Sequence, residues 1–398
     1  MAKLSIDDVD LKHKRVLVRV DFNVPLNENL QVTDDTRIRA ALPTIQAIIK
    51  AGGRAILMSH LGRPKGKVNE SMRMAPVARR LSQLLDQEVR YMTDCIGPEV
   101  EKAVNQLYDG EVMLLENLRF YKEEEANDPG FAEKLAKLGD VYVNDAFGTA
   151  HRAHASTEGV TKYFKQRAAG YLMQKELQYL GDAIDNPKRP LVAVLGGAKI
   201  SGKIDVIQNL MAKVDALLIG GGMTYTLLYA KNIPIGKSLL EADRVELAKD
   251  VLKKAESQRI KFHLPVDHVI ATELSATAAS KTTDGQAIPD EWIGVDIGPK
   301  TIEQFASALD GAKTVIWNGP MGVFEIEPFA TGTLTIAKKL AEITRKGATT
   351  VVGGGDSVAA LAKAGLTDQV THVSTGGGAS LEFLGGLTLP GVAALSDK

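Results

Sequence analysis

The chain holds a single cysteine, Cys95, among 398 residues, which excludes an internal disulfide and makes a reducing compartment, the cytoplasm, the expected setting. With no histidine near it in sequence, Cys95 reads as a small apolar side chain rather than a nucleophile. No stretch approaches the ~18 consecutive apolar residues of a membrane span. The opening MAKLSIDDVDLKHKRVLVRV places acids where an export signal requires an unbroken apolar run, so Asn69-Glu70-Ser71 is not expected to carry a glycan. Charge of one sign is missing too: 48 Lys and Arg face 49 Asp and Glu, for a formal net charge of -1. That excludes a global basic field able to hold nucleic acid. Small molecules are the expected partners, with neither nucleic acid nor membrane among them.

Several motifs are absent as well. There is no G-x-S-x-G elbow and no clean G-x-G-x-x-G after the first apolar run. His151, His154 and Asp145 lack the ligand spacing of a zinc site. No nucleophile–base pair is evident either.

What is present is length enough for two cores, with 44% hydrophobic and 24% charged residues. Short Val-, Ile- and Leu-rich runs fall at 15–20, 55–58, 112–115, 141–143, 191–195, 216–219, 314–317, 349–352 and 372–374. They show little polar alternation, as strands buried on both faces should. Amphipathic stretches at 37–50, 203–213 and 241–257 lie between them. The pattern predicts an α/β protein of two lobes, each a parallel sheet flanked by helices. A helix over 171–184, stopped by Asp185-Asn186-Pro187, marks the boundary. This divides the chain into 1–170, a connecting helix and hinge at 171–187, and a second lobe from 188.

The strands of the second half run into glycine, at Gly196-Gly197, Gly220-Gly221-Gly222, Gly353-Gly354-Gly355 and Gly376-Gly377-Gly378. Glycine lets backbone N–H groups approach a phosphate, and a following helix adds its dipole. Tight turns explain any one such junction as well as a ligand does; four together favour a nucleotide. Gly197 through Lys203 matches seven places of a phosphate-binding loop, but the eighth, which should hold a metal-ligating hydroxyl, is Ile204. What survives is Lys199 and Lys203 beside a glycine turn. Asp356, at the start of a helix predicted over 356–364, is a candidate both for capping and for Mg²⁺. Glu325, in the loop that follows Trp317-Asn318-Gly319-Pro320, suits ribose hydroxyls.

Strands of the first half instead run into polar and basic loops that carry Asp21, Asn23, His60, Arg63, Arg119, His151 and Arg152, with Arg37 nearby. A lone arginine is usually a solvated surface charge. Several at strand ends favour a small anionic substrate, held by bidentate pairs.

Val20-Asp21-Phe22-Asn23-Val24-Pro25, Ser59-His60-Leu61-Gly62-Arg63-Pro64, Glu116-Asn117-Leu118-Arg119-Phe120 and Asn144 through Arg152 resemble the phosphoglycerate kinase family. So do Leu195-Gly196-Gly197-Ala198-Lys199, Trp317-Asn318-Gly319-Pro320, Gly353-Gly354-Gly355-Asp356 and Ser374-Thr375-Gly376-Gly377-Gly378-Ala379, and the likeness runs from about residue 5 to about 391. The resemblance implies two Rossmann-like lobes facing a cleft, a nucleotide lobe ending at 384 and a tail, 385–398, returning to the first lobe. It implies that Asp21, Asn23, Arg37, His60, Leu61, Gly62, Arg63, Arg119 and Arg152 bind 3-phosphoglycerate. Gly197, Lys203, Gly221, Gly294, Asn318, Pro320, Glu325, Gly354, Gly355, Asp356 and Ser357 would line the nucleotide, ATP or ADP, with Asp356 on Mg²⁺. Arg37, Lys199 and Lys203 would carry catalysis, transfer following closure of a hinge in a monomer. Two positions depart from the pattern: Gly202 replaces a larger polar residue and Ser357 replaces threonine. A phosphate-loop ATPase, a non-catalytic binding protein and a dinucleotide oxidoreductase are the rival readings.

Overall fold

The computed structural model describes residues 3–398. The chain forms two compact units: residues up to Leu177 together with Thr388–Lys398, and Gln178–Leu387. The helix Tyr171–Asp185 runs through the division at 177/178.

In the first unit, β1 (Arg15–Val20), β2 (Arg54–Met58), β3 (Val89–Tyr91), β4 (Val112–Leu114), β5 (Val141–Asp145) and β6 (Arg167–Ala169) form one sheet in the order β3-β4-β2-β1-β5-β6. Every pairing is parallel, with Arg15 opposite Arg54 and Val16 opposite Val141. The valines of β1 and β5 are buried because helices such as Thr36–Lys50 and Ala75–Leu85 cover the sheet with Ile38, Ile45, Val77 and Leu81. The final residues pack on this unit: Leu4 N–H donates to the Ser396 carbonyl at 2.8 Å, and Asn144 Nδ2 to that of Gly391 at 3.2 Å.

The second unit repeats the plan. Its strands are β7 (Leu191–Leu195), β8 (Ala216–Ile219), β9 (Lys261–His263), β10 (His268–Ala271), β11 (Ser280–Thr282), β12 (Ile293–Ile297), β13 (Thr314–Asn318), β14 (Thr349–Gly353) and β15 (His372–Val373). Six make a parallel sheet ordered β15-β14-β13-β7-β8-β9, with Val194, Val315, Trp317 and Val352 in its core. The other three make a small antiparallel sheet, β11-β10-β12.

That second sheet is absent from the sequence reading, as are β3, β6 and β9. Their segments are three to five residues long, and β11 is exposed Ser-Lys-Thr with no apolar period to reveal it. The predicted helix over 241–257 begins only at Val245, because Glu241 turns its carboxylate to Ile200 N–H (2.6 Å) and Ser201 Oγ (2.5 Å). The helix expected to open on Asp356 is Gly355–Lys363, with Gly354 as its N-cap. Gly354 has φ of +86°, a conformation that glycine adopts without a Cβ clash. Asp356 therefore stands in the first turn rather than capping it.

Candidate active site

Parallel strands deliver their following loops to one edge of a sheet. At the carboxyl edge of the first unit, the loops after β1, β2 and β4 are stitched together. Phe22 N–H donates to Ser59 Oγ (2.9 Å), Gly62 N–H to Asn23 Oδ1 (2.8 Å) and Leu61 N–H to Asn117 Oδ1 (3.2 Å). Asn117 returns a bond to the Leu61 carbonyl at 2.7 Å, and Arg119 Nη1 donates to the Gly62 carbonyl at 3.1 Å. Buried Glu116 braces the loop beneath, accepting from Tyr91 Oη at 2.5 Å, from Met74 N–H at 2.9 Å and from Arg73 Nη1 at 3.0 Å.

This frame gathers positive charge. Arg37, half-buried at the start of its helix, pairs with Asp21. Arg119 is buried, and burial lowers its affinity for a proton, with Arg19 and Arg152 acting in the same direction. Burial, then Arg19, Arg119 and Arg37, holds the His60 imidazolium well below its ordinary stability, so His60 is neutral. His154 is pushed to about 4 by burial and by the Arg119, Arg19 and Arg152 charges. Arg152 lies at the surface with Nε 3.2 Å from His151 Nε2. Arg63 is exposed on the β2 loop, without an ion-pair partner among the described residues. Thus His60, Arg37, Arg119 and Arg152 share one electrostatic neighbourhood, with Asp21, Asn23, Leu61 and Gly62 in its bonded frame. Arg63 follows Gly62 in the same loop, with its side chain exposed.

At the corresponding edge of the second unit, glycine loops pack directly on one another. Gly196 N–H donates to the Asn318 carbonyl and Gly197 N–H to that of Pro320, both at 3.0 Å; Gly221 N–H reaches the Met321 carbonyl at 2.9 Å. A Cβ on Gly196 would penetrate the Pro320 carbonyl, and one on Gly319 the carbonyl of Gly196. Part of the glycine content thus serves loop-to-loop packing.

Beside these loops lies a cavity of about 460 Å³. Gly197, Gly221, Gly294, Pro320, Glu325 and Asp356 line its polar side. Leu239, Leu274, Ile293, Val295 and Val323 supply an apolar slot suited to a flat base. Lys203 is partly buried, its Nζ bonded to Asn318 Oδ1, and burial lowers its pKa from 10.5 to about 8 against the pull of Asp356. Asn318 Nδ2 is buried without a partner among the described residues. Lys199 and Asp356 are exposed. Ser357 is buried and its Oγ accepts from Gly319 N–H at 2.6 Å, which ties two loops together.

A model of the phosphoglycerate kinase family matches residues 6–387. The chain belongs to the phosphoglycerate kinase family. It is 59% identical to the phosphoglycerate kinase of Chlorobium limicola over 397 residues, and 59% identical to that of Parasynechococcus marenigrum over 400, each alignment covering 100% of both chains. The structure of phosphoglycerate kinase from Coxiella burnetii superposes with a TM-score of 0.88 at 43% identity, covering 98% of both chains. That of the enzyme from Pyrococcus horikoshii gives 0.85 at 34%, again with 98% of both chains.

Some contributors escaped the sequence reading. Arg19 is fully buried behind His60, and its signal was a charge inside the apolar run Arg15-Val16-Leu17-Val18-Arg19-Val20. Ser59, Glu124 and Ser156 gave none, being ordinary polar residues until the fold brings them together. Leu239, Leu274, Ile293 and Val295 went unnoticed because they belong to the small antiparallel sheet and its neighbouring loops.

Proposed function

We infer that the protein is an ATP:3-phosphoglycerate phosphotransferase, moving the acyl phosphate of 1,3-bisphosphoglycerate to ADP and back. The observation that carries this is the pairing, in one chain, of an arginine- and histidine-rich sheet edge with a glycine-lined cavity that has Asp356 on its wall, Lys203 standing beside it on Asn318. One suits a small polyanion and the other a nucleotide. On this reading the residues up to 170 bind 3-phosphoglycerate, through Asp21, Asn23, His60, Arg63, Arg119 and Arg152. Residues 188–384 bind the nucleotide, its base in the apolar slot and its ribose on Glu325.

Asp356 fits Mg²⁺: it is an exposed carboxylate on the cavity wall, and this ion normally takes one or two protein carboxylates and leaves other places to water and phosphate. When bound, the ion supplies positive charge to the nucleotide's terminal phosphates. Lys203 and Lys199 bind those phosphates as point charges, and Arg37, with donors left over from Asp21, meets the transferring group. Transfer is in line, after the two units move about 171–187, and closure expels water that would hydrolyse the acyl phosphate. We place this chemistry in a cytoplasmic monomer. No helix among the described residues is long and apolar enough to cross a membrane.

A coupled assay tests the reading. With Mg·ATP and 3-phosphoglycerate together, ADP should accumulate; with either alone it should not. ADP release without 3-phosphoglycerate would make the protein an ATPase instead.

A further inference from the structure

Behind the anionic-substrate residues lies a chain of buried polar groups that no motif announced. Glu124 is wholly buried, and its two carboxylate oxygens accept from Ser156 Oγ at 2.5 Å and Ser156 N–H at 2.9 Å. Ser156 Oγ, its proton committed to Glu124, accepts from Arg19 Nε at 2.8 Å. Arg19 then donates Nη1 to the Val20 carbonyl and places Nη2 3.1 Å from His60 Nδ1. Arg19 and Ser156 are 0% exposed and His60 is 4% exposed, so water does not compete along the chain.

The direction of these bonds is forced by chemistry. A guanidinium has only donors. His60 Nδ1, facing one, must be the acceptor, and the ring's single proton must lie on Nε2. An imidazolium is disfavoured as well, first by burial of the ring and then by the Arg19, Arg119 and Arg37 charges. We propose that Arg19, Ser156 and Glu124 are positioning residues that lock His60 as a neutral Nε2–H donor toward the bound 3-phosphoglycerate. Glu124 offsets the charge of Arg19, and Ser156 fixes its orientation. His60 is thereby a donor by construction, able to accept an anion but not a ligand donor group. This inference rests on the assignment of the first unit as the 3-phosphoglycerate site.

Histidine-selective 15N NMR of the unaltered chain tests the lock, with the His60 signals assigned by their loss in His60→Gln. At pH 7 the expected spectrum shows protonated Nε2 and unprotonated Nδ1. Protonated Nδ1, or an imidazolium, overturns the proposal whether or not any variant folds. Ser156→Ala removes the acceptor of Arg19 Nε and frees Glu124. It should raise KM for 3-phosphoglycerate about ten-fold, as expected for one lost charge-assisted hydrogen bond, leave KM for Mg·ATP within two-fold, and mix the His60 tautomers. Ser156→Thr should restore both readouts. Equal KM values for 3-phosphoglycerate in Ser156→Ala and parent would also overturn it. If the parent forms no ADP with 3-phosphoglycerate, the functional reading fails instead, and the NMR result still decides the tautomer lock.

Discussion

Lys203 is held at a cost in the ligand-free protein, and Lys203→Met should reveal it. Burial lowers the Lys203 pKa from 10.5 to about 8. At pH 7 that displacement corresponds to about 3 kcal/mol of destabilisation of the charged, folded state. The sign follows from proton uptake. Between pH 8 and 10.5 the unfolded chain holds the lysine proton and the folded one does not, so stability rises with pH across that window. Methionine removes the charge but also the bond to Asn318 Oδ1, a loss of about 1.5–3 kcal/mol for a charge-assisted hydrogen bond. The net expectation at pH 7 is a ligand-free variant between unchanged and about 1.5 kcal/mol more stable than the parent. By pH 9.5 the advantage should shrink by about 2 kcal/mol, because the parent lysine is then neutral when folded. Added Mg·ATP should stabilise the parent and leave the variant nearly unmoved. Urea unfolding at the two pH values, with and without nucleotide, measures all four quantities. A variant more than about 1 kcal/mol less stable than the parent at pH 7, with a gap independent of pH, would refute the reasoning.

Arg37→Ala should lower kcat by about 10²- to 10³-fold while nucleotide affinity, read by calorimetry, stays within two-fold, as expected for a donor aimed at the transferring group. Gly196→Ala drives a Cβ into the Pro320 carbonyl and should destabilise the fold by about 1–3 kcal/mol, measured by denaturant midpoint. His268, pushed to about 4 by burial, with Nε2 unpartnered among the described residues, stays neutral in the fold while the unfolded residue takes up a proton below pH 6.5. Stability therefore falls as the medium is acidified from 6.5 to 4, by up to about 3 kcal/mol from this residue. His268→Phe should flatten that part of the pH–stability curve. Glu325→Ala should weaken nucleotide binding about ten-fold or more, through the loss of a charge-assisted hydrogen bond, and leave KM for 3-phosphoglycerate unchanged.

The sequence by itself determined the long buried strands and their order of appearance, because Val-, Ile- and Leu-rich runs such as Leu191–Leu195 and Ala216–Ile219 have few alternatives to the centre of a parallel sheet. It also located the loops that carry Asp21, His60, Arg119, Gly197 and Asp356, since ligand groups in such sheets follow strand ends. The tertiary structure alone decided which polar residues meet. Glu124, Ser156, Arg19 and His60 are separated by up to 137 residues in sequence, and no local period links them. The apolar slot beside Gly294 depends on a three-stranded sheet whose strands are only three to five residues long, too short to stand out as a pattern. Local sequence encodes backbone shape and burial, whereas hydrogen-bond partners and the charges that set a proton's position come from distant segments, and only packing brings those together.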